Sequence, residues 1–292
     1  MSNPESWPLV LSTEATIPSQ TTQKPPQLAL MNPTGEAFKI HEIRFTLKSD
    51  STVVLATTGA TIGCKFELGS LALTNGFVPI WNFGRVISTD QDMNLQYSWR
   101  LAQPLYIPAG ATLLPNFQHF GTTSRTVTAR VSYFASTMPV GAPAPRRMFL
   151  PWVSSYIGKA FPYATADSDV SRETDLLNPF DTDLLISRLI GRFNLFGATL
   201  DTNESRFGAQ LIDVRVSLSN GDPLVRTDTP FAQVFGQEGR AWEQRNTILK
   251  PKQYFQVFVT KNATADVSEQ STIQPFVSLV GYREMQISGG AA

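Results

Sequence analysis

The sequence is short of the groups that catalysis draws on. Two histidines, His41 and His119, and one cysteine, Cys64, occur in 292 residues. A single cysteine excludes an intrachain disulfide and suits folding in a reducing compartment. Charge is scarce as well, at 16% of residues, against about a quarter in ordinary soluble domains. The 24 basic and 24 acidic residues balance. That balance argues against a basic surface, so no direct nucleic-acid binding is expected. It also leaves no net charge to oppose self-association. No apolar run approaches the roughly 20 residues of a membrane-spanning helix. The start of the sequence has neither the basic residues nor the apolar core of a secretory signal.

Motifs with a mechanism are equally sparse. A metal centre on a β-barrel takes several histidines plus a carboxylate, but the first half has two histidines and the second half none. His41 is followed by Glu42, and adjacent strand residues point to opposite faces. No Gly-x-Ser-x-Gly elbow and no glycine-rich phosphate loop occurs. Cys64 alternates with Phe66 and Leu68 and reads as a core residue. Carboxylate pairs for glycoside hydrolysis stay open, because any two acids can meet in space, but nothing selects a pair. Asp167-Ser168-Asp169 and Asp181-Thr182-Asp183 lack the glycine and closing glutamate of a calcium loop. They read as solvated turn residues, with Asp181 and Asp183 the calcium candidates. The expectation is a protein that is not an enzyme and needs no cofactor.

Ser, Thr, Asn, Gln, Pro and Gly replace the missing charge, as in all-β proteins with many turns. Ile43, Phe45 and Leu47 alternate with polar residues. So do Leu95, Tyr97, Trp99 and Leu101; Val127, Ala129, Val131 and Tyr133; Ile212, Val214 and Val216; and Phe255, Val257 and Val259. A period of two marks strands buried on one face. Thr34-Gly35, Asn75-Gly76 and Ala109-Gly110 supply turns between them. Asp183 to Phe196 also allows a helix and is read as strand, because it aligns with Phe38 to Leu47.

That alignment belongs to an internal repeat. Met31-Asn32-Pro33 recurs as Leu177-Asn178-Pro179, and Ile40 and Ile43 recur as Ile186 and Leu189, both 146 residues on. Leu73-Thr74-Asn75-Gly76 recurs as Leu218-Ser219-Asn220-Gly221 after 145, Ile107-Pro108 as Lys250-Pro251 after 143, and Val131-Ser132-Tyr133 as Val277-Ser278-Leu279 after 146. A period of half the chain means two similar domains, not a solenoid. Each copy offers about six to eight strands in roughly 110–140 residues, which fits a jelly roll or another sandwich. The expected order is an extended N-terminal arm over 1–29, rich in proline, and a first β-barrel unit over 30–138. A linker follows over 139–172, with a short amphipathic helix from Trp152 to Phe161. A second β-barrel unit spans 173–287 and a flexible tail 288–292. The fold class is all-β, with two jelly-roll or β-barrel-like units in tandem from a duplication. Trp7, Arg146, Arg147 and Trp152 are the interface candidates, and Trp81 is a further possible anchor, since Trp and Arg are enriched at interfaces.

Two tandem β units, a proline-rich arm, a Pro/Gly linker and no active-site constellation resemble the vertical jelly-roll major capsid proteins of tailless, membrane-containing icosahedral phages and their adenovirus-like relatives. The resemblance rests on architecture over the whole chain, without a signature motif, so it transfers no site residue. It implies two upright barrels per chain and three chains per pseudo-hexameric capsomer. The implied partners are copies of the chain itself, a second capsid protein and the virion membrane; the implied place is the virion, assembled in the host cytoplasm. The size is also similar to the larger major capsid protein of Thermus phages of this kind, which would make the second unit, in whole or part, a surface tower. Two other readings remain: a virion spike or receptor- or carbohydrate-binding β protein, and an enzyme on a β-sandwich pair. Under the capsid reading, Phe45, Tyr97, Trp99, Val216 and Val257 hold the barrels together. Deleting residues 2–25 is then expected to spare the fold and impair assembly.

Overall fold

The computed structural model describes residues 8–23, 37–49, 61–89, 94–120, 126–138, 144–162, 165–196, 212–235, 241–262 and 272–287. The chain divides into two compact units, Met1–Val153 with Tyr282–Ala292, and Ser154–Gly281. Strands dominate both. The first ten are β1 (Pro8–Ile17), β2 (Thr22–Gln23), β3 (Phe38–Ser49), β4 (Ile62–Leu68), β5 (Leu71–Ala72), β6 (Val78–Pro79), β7 (Arg85–Thr89), β8 (Asn94–Ile107), β9 (Leu113–His119) and β10 (Val127–Thr137). They form one sheet in the order β1-β10-β3-β8-β7 and another in the order β2-β9-β4-β5, with β6 beside β4.

Set aside the accessory strands β6 and β7, and the eight that remain pair as first-eighth-third-sixth and second-seventh-fourth-fifth. This interleaving of two Greek keys over two sheets is a jelly roll. The later strands are β11 (Arg147–Ile157), β12 (Phe161–Pro162), β13 (Asp167–Val170), β14 (Leu184–Phe196), β15 (Ile212–Leu218), β16 (Pro223–Pro230), β17 (Ala241–Leu249), β18 (Phe255–Lys261) and β19 (Thr272–Gln286). Their sheets run β11-β19-β14-β17 and β13-β18-β15-β16, with the short β12 beside β19. Without β12 the order is again first-eighth-third-sixth and second-seventh-fourth-fifth. The later strands therefore make a complete jelly roll and not a differently folded tower.

The repeat survives in backbone detail. The register of β3 against β8 slips between Ile40 and Glu42. The register of β14 against β17 slips between Ile186 and Arg188. These irregularities lie at the 146-residue offset read from the sequence. Other matches move. The counterpart of the Leu218–Gly221 hairpin between β15 and β16 is the Gly69-Ser70 hairpin between β4 and β5, not Leu73–Gly76. Leu68 pairs with Leu113 and Leu218 with Phe255, each pair joining the fourth and seventh strands. The turn after the sixth strand closes from Ala111 N–H to Pro108 C=O in one copy and from Gln253 N–H to Lys250 C=O in the other. Its offset is 142, so Pro251 stands at the place of Ala109 and not of Pro108.

The cores follow the period-two reading. Phe45, Tyr97, Trp99, Val216 and Val257 are all buried. In the first unit Phe45 and Trp99 from one sheet meet Phe66 from the other, with Phe83 among them. Ring centroids in this cluster lie 5.0 to 6.0 Å apart. In the second unit the five-residue helix Phe231–Phe235 buries both its phenylalanines. A Cβ on Gly191 would meet the Phe235 ring at 2.2 Å, so glycine is what lets this helix seat on β14.

Two expectations are corrected. Residues 8–17 are not an arm outside the barrel. They form β1, paired along its whole length with β10, and Ile17 and Thr13 are buried. Deleting residues 2–25 would thus remove an integral strand. The segment from Trp152 to Ile157 is not helical either; it lies in β11. Pro151 to Tyr156 is mostly buried, and a strand covered on both faces loses the alternation that identifies it. Asn75 N–H bonds to Val153 C=O at 2.8 Å, and Val153 N–H bonds to Leu73 C=O at 3.1 Å. Residues 1–7 and 24–29 of the expected arm, the copy Met31-Asn32-Pro33 and the tail 288–292 lie outside the described residues.

Candidate functional site

The most organised polar surface is the outer face of the first unit's larger sheet. Glu42 on β3 stands opposite Arg100 on β8, and Arg44 stands opposite Ser98. Arg44 Nε and Ser98 Oγ each donate to Glu42 Oε1 at 2.6 Å, and Arg100 Nε lies 3.8 Å from Oε2. Burial pushes the Glu42 carboxyl up, but its bonds to Arg44 and Ser98 and the two guanidinium charges outweigh this and hold it below the usual carboxylate range. Arg44 also lies over the Phe134 ring, 4.1 Å from its centroid. Further along, Arg130 donates through Nε (3.0 Å) and Nη2 (2.7 Å) to Glu14 Oε2. His41 shares a 2.8 Å hydrogen bond with Ser136 Oγ. In the second unit the place of Glu42 is taken by Arg188, in register with Glu243.

A second equivalence concerns buried basic groups. His119 and Lys261 end the seventh strands β9 and β18, opposite Ile62 and Ile212. Both are buried. Lys261 Nζ donates to the carbonyls of Thr165 (3.1 Å) and Asn262 (2.8 Å). Burial lowers the pKa of both, against the raising pull of the Ile17 and Pro18 carbonyls in the case of His119. In each copy a buried basic side chain meets a carbonyl of the segment that enters the second strand, that of Pro18 for His119 and that of Thr165 for Lys261. This is fastening chemistry, not proton-transfer chemistry.

Three of the four acids in these motifs, Asp167, Asp169 and Asp183, are already partnered. Asp167 and Asp169 lie on β13, not in a turn. Asp169 Oδ2 accepts from Tyr156 Oη (2.8 Å) and from the Lys159 backbone N–H (2.7 Å). Burial and this bond push the Tyr156 phenol up. The Lys159 ammonium bonds to Asp167 and, with the Ser168 N–H, lowers its pKa. Lys250 Nζ lies 2.8 Å from Asp183 Oδ2, and Asp181 is exposed. Among the described residues no group of three or more His, Cys, Asp or Glu is placed to hold a metal ion. A groove of about 420 Å³ runs past Asp169, Val170, Arg215, Asp228 and Phe258, with the Arg215 guanidinium 4.4 Å from the Phe258 centroid.

Of the interface candidates, Arg146 and Arg147 are exposed. They line a cleft of about 390 Å³ with Gln286 and Ile287, and Arg147 pairs with Glu284 at 3.0 Å. Trp152 and Trp81 are buried in the core and are corrected as exposed anchors. Trp7 lies outside the described residues. Cys64 is buried and free, and burial pushes its thiol up. The Glu42 cluster was missed, although Glu42-x-Arg44 places opposite charges on one strand face.

Three solved structures similar to this chain come from viruses. The PBCV-1 protein VP54, described as fitted into a cryo-EM reconstruction of the virophage Sputnik, is 10% identical with a TM-score of 0.48, over 99% of this chain and 97% of its own. The major capsid protein P2 of bacteriophage PM2 is 12% identical with a TM-score of 0.39, over 95% and 98%. The mavirus major capsid protein is 8% identical with a TM-score of 0.38, over 98% and 91%. No family model matches the sequence, and no curated protein matches it. The fold assignment rests on the strand orders, not on these scores.

Proposed function

We propose that the chain is a major capsid protein whose copies assemble into an icosahedral viral shell. The observation that carries this reading is the pair of jelly rolls, built with one strand order in one chain. Three such chains about a three-fold axis supply six similar barrels, and a near-hexagonal unit tiles a shell with few kinds of contact. The balanced charge lets copies approach without long-range repulsion. In this reading the capsomer is pseudo-hexameric and stands over an internal membrane, a second capsid protein completes the shell, and assembly occurs in the host cytoplasm. The chain performs no chemistry, needs no cofactor and makes no direct contact with nucleic acid.

The test is negative-stain electron microscopy with light scattering on the purified chain across salt and pH. Trimers, hexagonal sheets or shells are expected. A strict monomer in every condition would overturn the reading. It would favour a spike or carbohydrate-binding role, for which the groove past Phe258, Arg215 and Asp228 is the place to look. A glycan array with Phe258→Ala as control would decide that alternative.

A further inference from the structure

We infer that the outer edge of β1 is a docking edge for the same strand of a second copy, paired antiparallel about Thr13. This goes beyond the proposed shell, since it names one contact and its register. β1 ends its sheet: it pairs with β10 on one side and, among the described residues, with no strand on the other. An edge strand turns half its N–H and C=O groups outward, and proteins usually blunt such edges with proline, charge or short length.

Five other edges are blunted, which leaves β7 and β17 as the remaining sheet ends. β2 and β5 are two residues long and β13 is four. β16 is bracketed by Pro223 and Pro230 and carries Arg226 and Asp228. β11, the counterpart of β1, contains Pro151 and is bridged at Val153 by Thr74. From Leu9 to Ile17, β1 has no proline and one charge, Glu14, which Arg130 already neutralises. Its inward Leu9 and Leu11 are only half-buried, and the outward Val10 is 59% exposed. A further strand would cover them.

The sequence of β1 is complementary to itself. In an antiparallel pair centred on Thr13, Leu9 faces Ile17 of the second copy, Leu11 faces Ala15, Val10 faces Thr16 and Ser12 faces Glu14. Apolar residues oppose apolar ones inward, a β-branched pair lies outward, and a hydroxyl meets each carboxylate. No like charges oppose. A one-residue slip would put inward residues against outward ones, so the hydrophobic pattern fixes the register. The two-fold contact is closed, and limits itself to two copies.

Charge at position 12 tests this in the full chain. Ser12 is exposed, so S12D and S12K leave the fold intact, which unchanged melting temperatures would verify. S12D sets one carboxylate against Glu14 at each of two places per pair and is expected to weaken association in sedimentation velocity roughly tenfold. S12K sets an ammonium there and is expected to hold or tighten it. Thr13→Cys, opposite itself, is expected to form an intermolecular disulfide faster than Ser12→Cys, since directly opposed strand residues lie within disulfide reach. Equal association of S12D, S12K and the parent chain, or equal cross-linking of the two cysteine variants, would overturn the inference. Shells that form normally from S12D would leave the capsid reading standing and remove this contact. Edge pairing without any larger assembly would do the reverse.

Discussion

Phe66→Ala tests whether the two sheets of the first jelly roll are held together by their aromatic plug. Phe66 is fully buried on β4. Its ring lies 5.9 Å from Phe45, 5.9 Å from Phe83 and 6.0 Å from Trp99. Phe45 and Trp99 belong to β3 and β8 of the opposite sheet, so the truncation opens a void between layers that strands cannot close without shifting register. Such a truncation costs about 3–5 kcal/mol. With a urea m-value of about 2 kcal/mol/M, the unfolding midpoint should fall by roughly 2 M. Phe66→Leu keeps most of the volume and loses the ring pairs, so it should cost about 1–2 kcal/mol. The assay is urea titration followed by near-ultraviolet circular dichroism, with amide hydrogen exchange on β3, β4 and β8 to locate the loss. A cost below about 1 kcal/mol for Phe66→Ala would refute the cross-sheet plug.

Glu42→Gln should cost about 1–2 kcal/mol at pH 7, because a charge-assisted cluster is lost from a half-buried site. The folded carboxyl is held below its unfolded range, so its stabilisation is full above that range and fades as pH falls through the folded value. Parent and variant melting curves should converge in acid, and a constant gap would sink the assignment. Lys252 adopts φ 63° where Gly110 adopts φ 75°, and a Cβ at Gly110 meets nothing within 4 Å. Lys252→Gly should therefore stabilise and Gly110→Ala destabilise, each by about 1 kcal/mol, as read by thermal melts. Shifts of the same sign would show that contacts, not backbone, set the preference. Buried His119 has its pKa held below 6.5, so the unfolded chain takes up this proton first as pH falls. Stability should decline below pH 6.5, and His119→Gln should flatten that part of the profile. An unchanged slope would discount His119.

Strands with one wet face were legible and those without were not. Ile43 to Leu47, Leu95 to Leu101 and Phe255 to Val259 alternate cleanly, and all lie in strands. β1 carried the same signal, with Leu9, Leu11, Thr13, Ala15 and Ile17 alternating against Val10, Ser12, Glu14 and Thr16. Its prolines on either side argued for an arm instead, yet Pro8 and Pro18 fall at the ends of the strand, where proline is tolerated. β11 is buried on both faces over much of its length, and Trp152, Val153 and Tyr156 mimic a helical stripe. The Glu42 cluster was half legible. Glu42 and Arg44 share a face by spacing alone, but Ser98 and Arg100 join them only through the pairing of β3 with β8, 56 residues on for Ser98. Likewise Asp169 read as a turn residue because its partner Tyr156 lies on a strand that was read as helix.

The repeat shows which parts of a duplicated jelly roll can keep time. The offset of 146 holds where β3 and β14 each bulge, because a bulge sets how a strand bends over the core, and moving it would turn inward side chains outward. The offset drifts to 150 for β4 and β15 (Leu68 to Leu218) and to 142 for β9 and β18 (Leu113 to Phe255). Loops absorb insertions at small cost, so each strand keeps its own register while the connections change length. Turn chemistry then misleads an alignment. Gly76 and Gly221 both take positive φ, and each Asn-Gly serves that geometry, but they close different turns. The true counterpart of the Gly221 hairpin uses Gly69-Ser70 with no Asn at all. Where the backbone demand is shared, at Gly110 and Lys252, the residues differ. Like turn residues in the two halves therefore report a shared local geometry. Shared descent is better read from the bulge, from the buried His119 and Lys261 at one place in the fold, and from strand order.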